Sequence, residues 1–557
     1  MRFQILFKDK KMMNRLKRQI IVLALLVFPF TFSIAQSNGF EVIKNLELID
    51  LIYLNLEKYY VDEPRTGAIS KAGIDAMLAE LDPYTVFYHE ANIEDYRMMT
   101  TGQYGGIGAL IRKIDDYVVI AEPYENNPAE QAGLMAGDII LFIDGKDMKG
   151  KSTEEVSTAL KGTKGTSFVL KYDRPFVGVG EVEVTRDEIK MPDVPYSGLM
   201  ADGIGYIKLN SFTQTASKSV TEAFETLKAE GMEKLILDLR GNGGGLLAES
   251  VNIVNMFVPK GQKVVETKAR IVEENRTYKT QNAPLDIEIP IVVLIDETSA
   301  SASEIVSGSL QDLDRGVVVG NTSFGKGLVQ RTLDLKYGSK MKLTIARYYT
   351  PSGRCVQKLD YYHKYDGRVD EVPDSLITVF QTKNGREVID GRGIEPDIKT
   401  ESEELAKITA VLLLENIVFD FATKFSRENP SISAPKEFKL EDNQWNELRS
   451  YILEKDFKYA TRSEEKLAEL FDIARAEGYD ELIEKEYQAL MQKLRASKEK
   501  DVDLFKDQII ALAENEIVSR YYFQNGRIMH AFRDDKALEE AIAILSDLNR
   551  YNAILKP

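Results

Sequence analysis

The sequence predicts a multidomain α/β protein: an α/β core holding an inserted β-rich module, with a helical segment before it and an α-helical C-terminal domain after it. Three observations predict this. Short, mostly apolar runs alternate with amphipathic stretches over residues 188–400. Strand-like runs separated by turns rich in Gly, Asn and Asp fill residues 95–187. From Glu401 to Pro557 apolar positions recur at three- and four-residue steps nearly throughout.

The bulk properties bound the function. A chain of 557 residues suffices for three or four domains. A hydrophobic content of 44% builds sizeable cores and excludes a disordered acidic chain. The net charge of −16, with no long basic run after the first 20 residues, excludes nucleic acid as a partner, because phosphate contacts need clustered Lys and Arg. The single cysteine, Cys355, leaves no pair for a disulfide within these residues and no multi-cysteine metal site; it reads as a small packing residue.

The elements follow in order. Lys8, Lys10, Lys11, Arg15, Lys17 and Arg18 precede an apolar run from Ile20 to Ile34, and Ser33-Ile-Ala35 supplies small residues after it. This is the pattern of a signal peptide over residues 1–35, cleaved after Ala35, and it predicts an exported, periplasmic or otherwise extracytoplasmic protein. The alternative is an uncleaved anchor, which would be the one route to a membrane. The run is short for a spanning helix, which needs roughly 20 apolar residues, and it contains Pro29.

Residues 36–94 read as a helical segment. Val42, Ile43, Leu46, Ile49, Ile52 and Leu56 recur at helical steps, and a second helix from Thr66 ends at Asp82-Pro83. In residues 95–187 the strands are Ala109–Ile111, Tyr117–Ala121, Asp138–Ile143, Phe168–Tyr172 and Val182–Thr185, with one helix, Thr153–Leu160. In the core, Gly205–Leu209, Leu235–Leu239, Ile291–Ile295 and Val317–Val319 read as strands buried on both faces. Helices Gln214–Glu230, Ala248–Met256 and Ala302–Leu313 lie between them. Residues 401–557 carry no catalytic motif.

The candidate chemistry sits just past the ends of the core strands, where open α/β sheets build their sites. Ser301, in Thr298-Ser-Ala-Ser-Ala-Ser-Glu304, opens a helix. It reads either as an N-cap in a Ser-x-x-Glu capping box or as a nucleophile whose oxyanion would meet the free N–H groups of the helix start, that of Ala302 first. Lys326 lies 25 positions later in Ser323-Phe-Gly-Lys-Gly327. A buried lysine loses its proton near neutral pH and can serve as a base. The turn Gly241-Asn-Gly-Gly-Gly245 is either a flexible strand-to-helix turn or the source of a second oxyanion donor, from Gly243 or Gly244. Gln330, four residues after Lys326, could hydrogen-bond its amine, and Asp312, three helical turns after Ser301, could support the site.

Three rival chemistries fit poorly. Gly320 to Gly325-Lys326 matches a phosphate loop, but Gly327 stands where Ser or Thr must hold Mg²⁺. A dinucleotide fingerprint fails at Leu246. Of the three histidines, His89, His363 and His530, none has a glycine-framed or strand-end setting suited to a triad.

In the β-rich module, Tyr104-Gly-Gly-Ile-Gly-Ala109 precedes a strand, so Gly105, Gly106, Ile107 and Gly108 could present N–H groups to a chain-terminal carboxylate while the strand edge pairs with the peptide. Pro128-Ala-Glu-Gln-Ala-Gly-Leu134 and Ala136-Gly-Asp-Ile-Ile-Leu-Phe-Ile-Asp-Gly145 follow it.

At these residues the chain resembles the C-terminal processing peptidases, or tail-specific proteases, of serine peptidase family S41. The matching stretches are Asp82-Pro-Tyr-Thr85, the Gly-Gly-Ile-Gly loop, Asp238-Leu-Arg-Gly-Asn-Gly-Gly244, Ser299-Ala-Ser-Ala-Ser-Glu304, Phe324-Gly-Lys-Gly327 and Gly393-Ile-Glu-Pro-Asp397, within residues 40–400. The resemblance implies a ClpP/crotonase-like protease core at 188–400 with an inserted PDZ domain at 95–187. It implies Ser301 as nucleophile, Lys326 as general base, Gln330 positioning Lys326, and Ala302 with a glycine of the loop as oxyanion hole. Many relatives have Pro at or beside Gly243, which makes this loop look less rigid. The function expected is an exported serine endopeptidase that takes protein substrates by their C-terminal tails, with no metal or cofactor. The alternative is a silent PDZ-bearing adaptor. The helical C-terminal region could dock a partner or a second copy.

Overall fold

The computed structural model describes residues 39–90, 93–364, 367–401, 404–457, 459–494 and 498–556. The expected signal peptide lies outside them. They form two units, divided after Glu80. In the first, a helix over residues 39–59 joins the helix Thr66–Ala79, with the Tyr53 hydroxyl donating to Thr66 O at 3.0 Å.

The second unit is built on a six-stranded sheet in the order Tyr196–Leu199, Ile204–Lys208, Lys234–Asp238, Ile291–Ile295, Val317–Gly320 and Ile398–Lys399. The first pair is antiparallel and the others run parallel. Alternate residues face opposite sides, as the strand period requires. Leu235, Leu237, Ile291, Val293 and Val318 pack on one side against the helices Ala216–Ala229, Leu247–Phe257 and Ala302–Asp312. Ile204, Tyr206, Ile236, Val292, Leu294 and Val319 face the other side and meet Leu538, Ala541, Ile544, Leu545 and Tyr551. These belong to the helices Lys536–Ser546 and Leu548–Leu555, so the end of the expected helical region supplies the back layer of the core sheet. Asp535 caps the first of them through Leu538 N–H at 3.0 Å and clasps Arg240, which also grips the buried Asp238.

A second, five-stranded sheet was not legible in the sequence. It orders Val86–Tyr88, Lys340–Tyr349, Lys263–Ala269 and Arg276–Lys279, and Leu328–Asp334 also pairs with Lys340–Tyr349. The inserted module is a sheet of Ala109–Ile114, Tyr117–Pro123, Ile139–Ile143, Lys146–Asp147, Ser167–Arg174 and Gly178–Thr185 around its own core of Ile107, Val118, Ile120, Leu134, Ile140 and Phe168. The chain enters and leaves it as a two-stranded antiparallel ribbon, Gln103–Gly106 with Asp187–Lys190. The helices Lys407–Leu414, Ile417–Glu428, Asp442–Glu454, Lys498–Leu504 and Lys506–Ala531 pack around Phe421, Trp445, Ile452, Ile509 and Ile517.

Candidate active site

Ser301 begins the helix Ala302–Asp312 with φ 56° and ψ −108°. A non-glycine residue is rarely held there, and only over-determined surroundings keep it. Glu304 provides them. Its fully buried carboxylate accepts from Ser301 N–H at 2.7 Å and Lys326 N–H at 2.9 Å on one oxygen. On the other it accepts from Ser323 Oγ at 2.6 Å and Gly325 N–H at 2.7 Å. Of the expected capping box the Glu304 half is formed, while the Ser301 hydroxyl itself makes no cap hydrogen bond. Burial pushes the Glu304 carboxyl pKa up, and the four donors pull against it.

One carboxylate thus ties the serine turn to the lysine loop. Sequence reasoning saw Glu304 only as a helix cap. The Gly393-Ile-Glu-Pro-Asp397 motif supports the same loop, with Ile394 N–H donating to Ser323 Oγ at 2.7 Å and Asp397 accepting from Val318 N–H at 2.8 Å.

The glycine turn closes on Ser301 from the other side. Gly244 has φ 100°, and a Cβ on it would stand 2.9 Å from Ser301 Cβ and 2.7 Å from Ala300 O. Its N–H donates to Asn242 Oδ1 at 2.9 Å, so Gly244 is not the free oxyanion donor. Among the described residues, the N–H groups of Gly243 and Ala302 have no acceptor. The turn is pinned rather than loose: buried Asn242 donates to Leu209 O at 2.8 Å, and its own carbonyl accepts from Ala300 N–H and Ser303 Oγ. Asn242 does by hydrogen bonds what a proline would do by covalent stiffness, and this corrects the expectation of a less rigid loop. Gly244→Ala should lower kcat/KM roughly 100-fold by displacing Ser301, a larger loss than Gly243→Ala, whose Cβ would meet open space. Assays on one peptide substrate compare the two.

Ser301, Ala302, Gly243, Gly244, Lys326 and Gln330 line one cleft of about 830 Å³. Lys326 Nζ rests over the Tyr84 ring, 4.1 Å from its centroid, rather than on the Ser301 hydroxyl. Burial lowers its pKa to about 8, helped by the nearby charge of Lys342 and opposed by Glu304 and Asp82. Asp82 also fixes the turn that carries Tyr84: it accepts from Tyr84 N–H at 2.8 Å and Thr85 N–H at 2.9 Å, which is the turn formed by the Asp82-Pro-Tyr-Thr85 motif. Lys342, unnoticed in the sequence, also lines the cleft.

Two expected supports differ. Gln330 lies on the strand Leu328–Asp334 and donates to Thr344 Oγ1 at 3.1 Å, not to Lys326. Thr344 in turn donates to Asp82 at 3.2 Å, so Gln330 reaches the lysine's surroundings only through that chain. Asp312 shares a helix face with Ser301, but about 16 Å along the axis. It pairs with buried Arg354 at 2.8 Å and accepts from Ser352 N–H, so it belongs to the packing behind the site.

The three histidines lie away from the cleft: His363 pairs with Asp360, His530 meets Pro435 O, and His89 stands beside Glu90. In the inserted module, Gly105 and Gly106 belong to the entry ribbon. The Gly105 N–H faces Glu94 Oε2 at 3.5 Å, which would repel a carboxylate there. Ile107 and Gly108, just beyond it, have N–H groups with no acceptor among the described residues. Of the four residues expected to meet a tail carboxylate, these two are the ones whose N–H groups are left open.

Comparison with known proteins gives three family matches: peptidase family S41 over residues 203–361, a PDZ domain over 119–174, and the C-terminal helical domain of probable PDZ-proteases over 408–545. The chain is 30% identical over 451 residues to a probable CtpA-like serine protease of Staphylococcus aureus (strain bovine RF122 / ET3-1), covering 79% of this chain and 88% of the relative. It is 35% identical over 335 residues to a carboxy-terminal-processing protease of Bartonella bacilliformis, covering 58% and 75%. A solved structure of the photosystem II D1 C-terminal processing protease is 29% identical, with a TM-score of 0.36 over 63% of this chain and 86% of that one.

Proposed function

Since this chain belongs to peptidase family S41 and is a serine-type peptidase with a PDZ domain, we propose that it cleaves polypeptides with Ser301 as nucleophile and Lys326 as general base, after taking the substrate by its C-terminal tail. One observation carries the reading. A strained serine at a helix start, two unpaired N–H groups and an amine whose pKa lies at about 8 line a single cleft.

The reaction runs as follows. Neutral Lys326 swings from the Tyr84 face and takes the Ser301 hydroxyl proton as Oγ attacks the peptide carbonyl carbon. The N–H groups of Gly243 and Ala302 receive the oxyanion. Collapse breaks the C–N bond, and the Lys326 ammonium gives its proton to the leaving amine. Water then attacks the acyl-enzyme, Lys326 takes a proton from it, and Ser301 departs with a proton restored. Tyr84 favours the ammonium form through its ring face and steadies the protonated intermediate. A silent adaptor would not be expected to keep both reacting groups in this setting.

The base must be neutral, so kcat/KM rises with pH through about 8. In cells, a fluorophosphonate probe should tag Ser301 on a mature chain beginning at Gln36, outside the cytoplasm. A pH-independent rate between pH 6 and 9, or labelling that survives Ser301→Ala, would rule the dyad out.

A further inference from the structure

We propose that Gln524, carried into the catalytic cleft by a break in the longest C-terminal helix, binds the backbone of the substrate peptide. The inference rests on the dyad reading of that cleft.

The helix Lys506–Ala531 runs for 26 residues, yet at Phe523 the backbone takes φ 51° and ψ −154°. For a bulky side chain this is a strained conformation that persists only when its surroundings enforce it. Both flanks are anchored. Before the break, Tyr521 donates to Asn429 O and Tyr522 to Ile432 O at 3.2 Å. After it, Arg527 pairs with buried Glu122 of the PDZ strand Tyr117–Pro123 at 3.1 Å, and the His530 ring meets Pro435 O at 2.8 Å. Gly526 makes the break sterically feasible: a Cβ there would stand 2.2 Å from Tyr522 Cβ, whereas positions four apart on a regular helix keep about 5–6 Å between Cβ atoms.

The residue just past the break is Gln524. It is the one residue beyond position 400, among those described, that lines the cleft holding Ser301 and Lys326. Met191, Pro192 and Asn210 line the same cleft. Among the described residues the Gln524 amide has no hydrogen-bond partner. A primary carboxamide offers one acceptor and two donors, matching the C=O and N–H of an extended peptide without regard to its side chains. A neutral, sequence-tolerant contact of this kind suits an enzyme that selects its substrate elsewhere, by the tail. Arg527, three residues on, attaches this segment to the tail-binding domain, so the cleft wall and the capture site share a support.

The test uses the full chain and a ten-residue fluorogenic peptide spanning the scissile bond. Gln524→Ala should raise KM roughly 5- to 30-fold, the loss of one or two neutral hydrogen bonds, with kcat nearly unchanged. The rate of Ser301 labelling by a small fluorophosphonate, which does not extend along the cleft, should stay at the wild-type value. Gly526→Ala, which blocks the break, should reproduce the KM defect if it folds, as judged by its melting curve. Unchanged KM in Gln524→Ala with normal labelling overturns the inference alone. Failure of the wild-type enzyme to label overturns the dyad, and the inference with it.

Discussion

Lys326→Met is expected to cut peptide hydrolysis by roughly 10⁴-fold while tail-peptide binding by the PDZ domain is retained. It is also expected to stabilise the fold. The folded state depresses the lysine pKa from 10.5 to about 8, so between those values the unfolded chain binds more protons than the native one. Stability therefore rises with pH across that window, and below it the native state carries the full cost of holding a partly buried ammonium. Methionine keeps the length without the charge and removes that cost, on the order of 2 kcal/mol at pH 7. Urea unfolding at pH 7 and pH 11 checks the sign, because the gap between variant and wild type should close at the higher pH. A variant that turns over normally, or one less stable than wild type at pH 7, contradicts the assignment.

Glu304→Gln is the second large effect. The carboxylate accepts from four donors, two of them the backbone N–H groups of Ser301 and Lys326. A carboxamide presents an N–H₂ to one of these pairs, donor against donor, in a fully buried place. The expected loss is about 3–5 kcal/mol of stability. In the fraction that folds, kcat should drop at least about 100-fold, since the serine turn and the lysine loop lose their common tie. Urea titration and single-turnover kinetics measure the two effects. Wild-type values in both would show that the tie is dispensable.

The sequence made some of this legible for definite reasons. Ile291–Ile295 is buried on both faces, so it reads as an unbroken apolar run and its bounds match the strand. The sheet of Leu328–Asp334 and Lys340–Tyr349 mixes charges with apolar residues at half-buried positions, and no run marks it. That is why Gln330 could be placed four residues from Lys326 in sequence but not on its strand. Asp312 shows the limit of helical periodicity, which assigns a face but not a height. Ser301 and Lys326 stood out in the sequence because each sits in a motif. Asn242, Lys342 and Gln524 were missed because their importance comes from what folding brings near them. Asn242 alone left a trace, as the polar residue inside a glycine turn.

The back layer of the core sheet bears on how this enzyme comes into being. Val292, Leu294 and Val319 stay uncovered until residues 536–555 arrive, and Arg240 beside the glycine turn waits for Asp535. During synthesis Ser301 and Lys326, the proposed dyad, are therefore translated more than 200 positions before the segment that completes their scaffold. A ribosome-bound chain would hold every chemical group for cleavage yet lack the support that aligns them. The order of translation itself would then delay activity, with no propeptide needed to impose it.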